Sequence, residues 1–434
     1  NYPERTAIVF DNKEFSYLEL DQLSNQLANY LKNTSKVSSG DLVAIMQERS
    51  EMLIISILAI LKSGAAFVPI DPLYPAERIK FILEDVNAKV LLTHSDHLFN
   101  FDYFTGELFA VDIQLYNLET STELLQPSLE PESLAYVLYT SGSTGTPKGC
   151  KIVHSGLANY INWANEFYLT EKNVGNFGLF TSISFDFTQT SIFCALTTGH
   201  QLYIYKQNDS LENIFESNFN ESTEIDIIKL TPAHIHILDH MNLKSENIKC
   251  AIVGGEELTL KQTAVLKKIN PDIKIYNEYG PTEATIGCIV KEVSQDERIL
   301  IGSPIANTQI YILDSNKKLC SIGVVGEIYI GGKCLSSGYY NRPELTEEKF
   351  LDNSFKTGEK FYKTGDLAKW LPNGNIEFIG RIDDQVKIRG YRVELGEVKK
   401  VIQDYPFVKD AFVEIKKDNQ LLNVIVAYIV TTRE

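Results

Sequence analysis

Leu134-Ala135-Tyr136-Val137-Leu138-Tyr139-Thr140-Ser141-Gly142-Ser143-Thr144-Gly145-Thr146-Pro147-Lys148-Gly149 is the stretch on which the reading of this chain turns. Its first six residues form an uninterrupted apolar run, which predicts a buried strand. The ten that follow hold three glycines, six Ser, Thr or Lys side chains and one proline. Glycine lets backbone N–H groups turn toward a ligand without a Cβ in the way. Hydroxyls and a lysine add donors suited to phosphate oxygens, so the chemistry indicated is nucleotide triphosphate binding. The Walker pattern needs Gly, four residues, then Gly-Lys-Ser/Thr. Here Pro147 precedes Lys148 and Gly149 follows it, so this is a phosphate loop of another type. The alternative is a surface Ser/Gly/Thr linker, although linkers rarely abut a buried strand.

Outward from that stretch, strands and helices alternate. Residues 7–10 and 14–17 read as strands, Leu18 to Leu31 as a helix and Leu42 to Met46 as a strand. Met52 to Lys62 reads as a helix, 76–86 as another and 90–93 as a strand. The class predicted is α/β with mostly parallel sheets. Runs at 225–230, 250–253 and 273–276 each end, like 134–139, in a polar or glycine-rich loop. Ligands in such sheets bind where strands end at their carboxyl edge. From Gly326 onward short strands and dense turns suggest a small β-rich subdomain.

Composition excludes several classes. The chain has 434 residues, 44% of them hydrophobic, and a formal charge of −16, which argues against a nucleic-acid face. Six cysteines (150, 194, 250, 288, 320, 334) lack CxxC or CxxH spacing and read as reduced thiols of a cytoplasmic protein. No signal peptide or apolar run of about 18 residues is present, so no membrane partner is expected. His234 and His236 are a weak candidate metal pair on a strand. The aromatic stripe Tyr160, Trp163, Phe167 and Tyr168 reads as core. Asp186 lies between Phe185 and Phe187, where a charge needs a partner; a capping Asp at a helix start is the alternative. With Asn1 in place of an initiator Met, the chain reads as a piece of a longer protein.

The loop at 138–149 resembles the signature loop of the adenylate-forming superfamily, and further motifs agree. They are Asn277-Glu278-Tyr279-Gly280-Pro281-Thr282-Glu283, Gly326 to Gly332, Gly338 to Pro343, Tyr362 to Leu367, and Gly380 to Gly390. The run Gln385 to Leu395 is similar to the adenylation domains of nonribosomal peptide synthetases more than to CoA ligases. The resemblance implies a large multi-subdomain N-terminal core over 1–382 and, over 383–434, an incomplete, mobile α+β C-terminal subdomain. It implies that an amino-acid carboxylate attacks ATP, with Mg²⁺, to give aminoacyl-AMP, and that the amino acid passes to the phosphopantetheine of a peptidyl carrier protein beside neighbouring synthetase domains.

Residue roles follow from the same resemblance. Lys148, Thr282 and Glu283 are the expected catalytic residues, with Glu283 also the Mg²⁺ ligand. Thr140, Ser141, Gly142, Ser143, Thr144, Gly255, Asn277, Tyr279, Gly280, Asp366, Arg381 and Lys387 are expected on the nucleotide, with Tyr279 against adenine and Asp366 on the ribose. Asp383 is the expected hinge. Asp186, Phe187, Thr190, Ala233, Ile252, Gly254, Glu278, Ile286 and Gly287 are the expected amino-acid pocket, Asp186 holding the α-ammonium group. Ala233, Gly254 and Gly287 predict a roomy floor. Glu278 calls for a substrate side chain bearing an amide or a cation, unless a protein donor already occupies it. A CoA or aryl-acid ligase, or a non-catalytic ligand-binding remnant, are the alternatives. The family's Asn-Gly-Lys loop has no counterpart after Gly390; truncation, disorder and an inserted domain remain open.

Overall fold

The computed structural model describes residues 2–127, 129–142, 146–171, 174–220, 222–294, 298–383, 385–388, 391–417 and 423–432. Ser143 and Thr144 lie outside the described residues. Two large sheets form the bulk of the chain. The first has six strands in the order Glu107–Ala110, Val90–Thr93, Leu42–Met46, Ala66–Pro69, Leu134–Thr140, Lys148–Val153. All its neighbours are parallel except the last pair, which flank the glycine-rich turn as an antiparallel hairpin. The second runs Ser303–Pro304, Ile289–Glu292, Lys274–Tyr279, Cys250–Gly254, Ile227–Leu230, Phe177–Leu179, Leu202–Ile204, Thr6–Phe10, Lys13–Ser16. Its middle is parallel and its two ends antiparallel.

Parallel strands covered on both faces are apolar along most of their length, and the central ones here follow that pattern. Leu42–Met46 and Val90–Thr93 are buried at every residue. Ile227–Leu230 is buried throughout as well, yet its third residue is Lys229. Helices pack on the sheets by the faces their spacing predicts. Tyr17–Asn33 starts in a capping box between Ser16 and Glu19 and buries Leu20, Leu27 and Leu31. Glu51–Ser63 starts at a Ser50 cap and stops at Gly64, whose φ of 89° is a left-handed cap that favours glycine.

The β-rich part is an antiparallel sheet of Thr308–Leu313, Gly326–Gly332, Lys360–Trp370, Phe350–Asp352 and Ile376–Arg381, so it begins before Gly326. Beyond it come the hairpin Gln385–Ile388 with Tyr391–Glu394, the helix Leu395–Gln403, and the pair Val408–Lys417 with Asn423–Thr431. His234 and His236 stand on the helix Pro232–Asp239, not on a strand, because Thr231-Pro232 ends the strand and starts the helix. The His234 ring accepts from the Thr231 N–H at 3.1 Å and completes a capping box. Among the described residues no His, Cys, Asp and Glu cluster could hold a metal ion, and no helix is long and apolar enough to cross a membrane.

Candidate active site

The carboxyl ends of both large sheets face one cavity. Its walls include Leu138 to Ser141 from the end of Leu134–Thr140, Gly255 after Cys250–Gly254, and Glu278 to Thr282 at the end of Lys274–Tyr279. Ser184 to Phe187, Ile286, Asp366, Arg381 and Lys387 complete it. Residues from Tyr74 to Lys387 therefore share one cavity: the parallel strands of the large sheets end on this side, and the antiparallel elements after them bring Asp366, Arg381 and Lys387 to it. Thr285 and Ile286 adopt φ of 50° and 71°, a conformation costly for branched side chains. That backbone turns Ile286 into the cavity wall.

On the phosphate side, the Thr140 hydroxyl is buried with no hydrogen-bond partner among the described residues, a donor left for a ligand. Lys148 is buried and lies 3.5 Å from the fully buried Glu283 carboxylate. Tyr339 joins them, donating to Glu283 Oε1 at 2.6 Å and accepting from Lys148 Nζ at 3.3 Å. Lys148 borders a second, adjoining cavity that shares Thr364, Arg381 and Gln385 with the first.

On the opposite side, Asp366 accepts from Tyr279 through one oxygen and from Arg381 through the other, at 2.5 Å. Arg381 also donates to Asp383 at 2.6 and 2.8 Å. The expected ribose carboxylate and the expected hinge residue thus share one guanidinium, which fits two carboxylates by its fork of donors.

The third side contains Asp186. Its Oδ2 is buried and unpartnered, and burial raises its carboxyl to about 6 against the favourable Thr282 hydrogen bond and the charges of Lys229 and Lys387. It does not cap a helix, since Thr188–Thr198 has no side-chain cap. Phe185 and Phe187 stack at 5.1 Å beside it. Deeper, Glu278 already holds a protein cation and two hydroxyls. Tyr160 and Tyr168 donate to its Oε1 at 2.6 and 2.8 Å, and Lys229 lies 2.7 Å from Oε2. Lys229 also donates to Thr190, lies 3.3 Å from the Tyr160 hydroxyl, and sits over the Phe187 ring at 4.4 Å. The Lys229 and Glu278 side chains are only 2% and 3% exposed.

Several expectations change on this geometry. The cation that Glu278 requires is supplied by the protein, from the middle of an otherwise apolar strand. Ala233 is not on the cavity wall; it lies in the first turn of Pro232–Asp239, and the residue facing Glu278 is Lys229, on the strand Ile227–Leu230 that precedes that helix. Gly287 does not enlarge the floor. A Cβ there would lie 2.6 Å from the Glu278 carboxyl carbon, so its bareness makes room for Glu278 itself. Gly254 likewise accommodates protein, a Cβ there lying 2.8 Å from the Glu278 carbonyl oxygen. Ile252 is wholly buried in the core. Asn277 spends its amide on the Leu300 carbonyl at 2.8 Å and does not line the cavity. Thr190 is tied to Tyr160 and Lys229 behind the wall. Gly142 is not a wall residue either.

Sequence reading missed Lys229, Tyr160, Tyr168, Tyr339 and Arg78. Lys229 carried a usable signal: a lone charge in Ile227-Ile228-Lys229-Leu230 requires a buried partner. The tyrosines carried none that distinguishes them from core.

Comparison with known proteins identifies the fold and the family. The AMP-binding enzyme family matches residues 1–340. Tyrocidine synthase 3 of Brevibacillus parabrevis is 43% identical over 437 residues, covering 100% of this chain and 7% of that protein. An artificially fused adenylation–PCP di-domain from Klebsiella oxytoca superposes with a TM-score of 0.89 at 26% identity, over 99% of this chain and 86% of that one. A four-domain nonribosomal peptide synthetase bound to AMP and glycine superposes with a TM-score of 0.77 at 29% identity, over 99% of this chain and 32% of that one. The chain therefore spans a small fraction of the length of that curated relative. It belongs to the AMP-binding enzyme family, with the adenylation domains of nonribosomal peptide synthetases.

Proposed function

We propose that this chain activates an amino acid with ATP and hands it to a phosphopantetheinyl carrier protein. The observation that carries the reading is the cavity joining an orphaned Thr140 hydroxyl, the Tyr279–Asp366–Arg381 cluster and the Asp186 Oδ2 left without a partner among the described residues. Asp186 pairs with the substrate's α-ammonium group. The substrate carboxylate oxygen attacks the α-phosphorus of ATP, forming the P–O bond of aminoacyl-AMP as the bond to pyrophosphate breaks. Thr140, Ser141 and Thr282 donate to the phosphates, and Asp366 accepts from the ribose once Tyr279 and Arg381 yield their contacts. Lys148, drawn off Glu283, neutralises charge that grows in the transition state. In the second half-reaction the carrier's thiolate attacks the acyl carbon and AMP leaves.

Glu283 is fully buried against Lys148 and Tyr339, so it would hold Mg²⁺ once Lys148 leaves it, as one carboxylate beside substrate phosphates. Bound there, it would screen phosphate charge. Residues 1–382 act as the core and 383–434 as a unit turning about Asp383, with neighbouring synthetase domains as further partners.

The amino acid is assigned from Lys229 and Glu278. A cationic side chain finds its counter-charge already taken, and an acidic one meets Glu278. A primary amide complements both: its oxygen accepts from Lys229 in place of the 3.3 Å Tyr160 contact, and its NH₂ donates to Glu278. We assign asparagine first and glutamine second. Pyrophosphate exchange across an amino-acid panel tests this. Strong exchange with lysine, ornithine or leucine and none with asparagine or glutamine would overturn the side-chain assignment; no exchange with any amino acid would overturn the activity.

A further inference from the structure

A separate cavity of about 520 Å³ lies at the other edge of the nine-stranded sheet, where its strands begin. Four neighbouring parallel strands supply its walls from the residues that lead into them. Arg5 leads into Thr6–Phe10, Asn176 into Phe177–Leu179, His200 and Gln201 into Leu202–Ile204, and Glu224 and Asp226 into Ile227–Leu230. Asp226 is the fixed point among them. Its Oδ1 accepts from the Gly175 and Asn176 N–H groups at 2.8 and 3.0 Å. Its backbone N–H donates to the Asn176 carbonyl at 3.2 Å, and its carbonyl accepts from the Lys249 N–H at 2.8 Å. Its Oδ2 has no hydrogen bond among the described residues, although Asp226 is only 9% exposed. A buried carboxylate oxygen held in place and left without a donor calls for a ligand that brings one.

The rim carries both signs of charge. Glu224 is exposed and accepts from the Gln201 amide at 2.9 Å through one oxygen only. Arg5 is exposed, with its guanidinium carbon 3.9 Å from the centre of the Tyr2 ring, and it has no ion pair among the described residues. His200 turns Nδ1 to the Thr198 hydroxyl at 2.9 Å, and burial, with Arg5 nearby, holds its ring below the usual histidine range. It is therefore neutral around pH 7. A metal ion would answer the carboxylates alone, and among the described residues no cluster could hold one. A small molecule bearing an ammonium group and a carboxylate answers Asp226 and Arg5 together.

We propose that this cavity binds a free α-amino acid, its ammonium group on Asp226 and Glu224 and its carboxylate on Arg5, as a second amino-acid site apart from the one beside Asp186. The assignment does not depend on the adenylation reading. Burial raises the Asp226 carboxyl to about 7, with Lys249 opposing the shift and Glu171 adding to it. Only its ionised form pairs with an ammonium group, so binding should strengthen about tenfold from pH 6 to pH 8 as Asp226 ionises through about 7.

The test is calorimetric titration of the Asp186→Ala chain, whose first site lacks its carboxylate, with glycine, asparagine, leucine, lysine and glutamate. At least one should bind one-to-one with that pH dependence. Asp226→Asn and Arg5→Gln, each added to this background, should weaken it by about tenfold, as befits a lost charge-assisted contact, and Asp226→Asn should flatten the pH dependence. Methylammonium and acetate, with one charge each, should bind more weakly than the amino acid. In the otherwise unaltered chain neither substitution should change pyrophosphate exchange. Absence of binding by all five amino acids, binding that Arg5→Gln leaves intact, a flat pH dependence before Asp226 is changed, or methylammonium binding as tightly as the amino acid would each overturn the site. Arg5 is exposed, so its variant and the pH series decide the matter even if Asp226→Asn failed to fold.

Discussion

Replacing Lys229 by Met keeps the apolar stem and removes the charge. Glu278 would then be an anion 3% exposed, held by the hydroxyls of Tyr160 and Tyr168 alone. Breaking a buried pair on one side costs roughly 3–5 kcal/mol, and two surviving hydroxyl donors put this case near the lower figure, about 3 kcal/mol. Glu278→Gln strands the ammonium instead, with Thr190, the Tyr160 hydroxyl and the Phe187 ring as its remaining company. The double variant Lys229→Met/Glu278→Gln has no isolated charge and should be less destabilised than the sum of the singles by about 2 kcal/mol or more. Urea unfolding of the four proteins gives that coupling, and pyrophosphate exchange with asparagine gives the functional side. Both single variants should lose exchange with asparagine while retaining AMP binding. Additive stabilities together with full asparagine exchange in Lys229→Met would refute the reasoning.

Other consequences are testable alongside it. The Asp186 carboxyl is raised to about 6, and only its ionised form can hold an ammonium group, so the amino-acid KM should fall as pH rises through about 6; a flat KM from pH 5 to 8 would contradict the role. Asp186→Ala should abolish exchange, or raise that KM, without loosening ATP in calorimetry. Asp226 is raised to about 7 by burial, despite N–H bonds from Gly175 and Asn176 at 2.8 and 3.0 Å. Its folded pKa lies above the unfolded value near 3.9, so stability is greatest in acid and falls as pH climbs from about 4 to about 7, by roughly 2–4 kcal/mol. Asp226→Asn should therefore melt higher than wild type at pH 8 and not at pH 4; the reverse order would count against it. Asp383→Pro, which stiffens the backbone at the expected pivot, should slow thioester transfer to a carrier protein far more than pyrophosphate exchange, measured on the same preparation.

Much of the fold was readable because parallel strands buried on both faces have no freedom in composition. Leu42–Met46, Cys250–Gly254 and Leu134–Thr140 announce themselves as apolar runs, and the loops after the last two mark a ligand edge. What sequence could not supply was direction within the site. Ala233 and Lys229 are four positions apart on either side of Thr231-Pro232, and only the folded sheet brings Lys229 to Glu278, across the intervening strand Cys250–Gly254. The Lys148–Tyr339 contact spans 191 positions and leaves no local trace. Nor does spacing reveal that Arg381 is shared by Asp366 and Asp383.

The buried pair also shapes how such a site can change over generations. Glu278 fits only because Gly287 is bare, and Lys229 is tolerated only because Glu278 answers it. Position 287 cannot grow without evicting the carboxylate, and neither charged position can be neutralised alone without stranding the other. A shift toward a different amino acid therefore has no gentle single-step path through these three positions. Paired exchanges, or recombination that replaces the whole segment at once, are the routes that avoid a stranded charge.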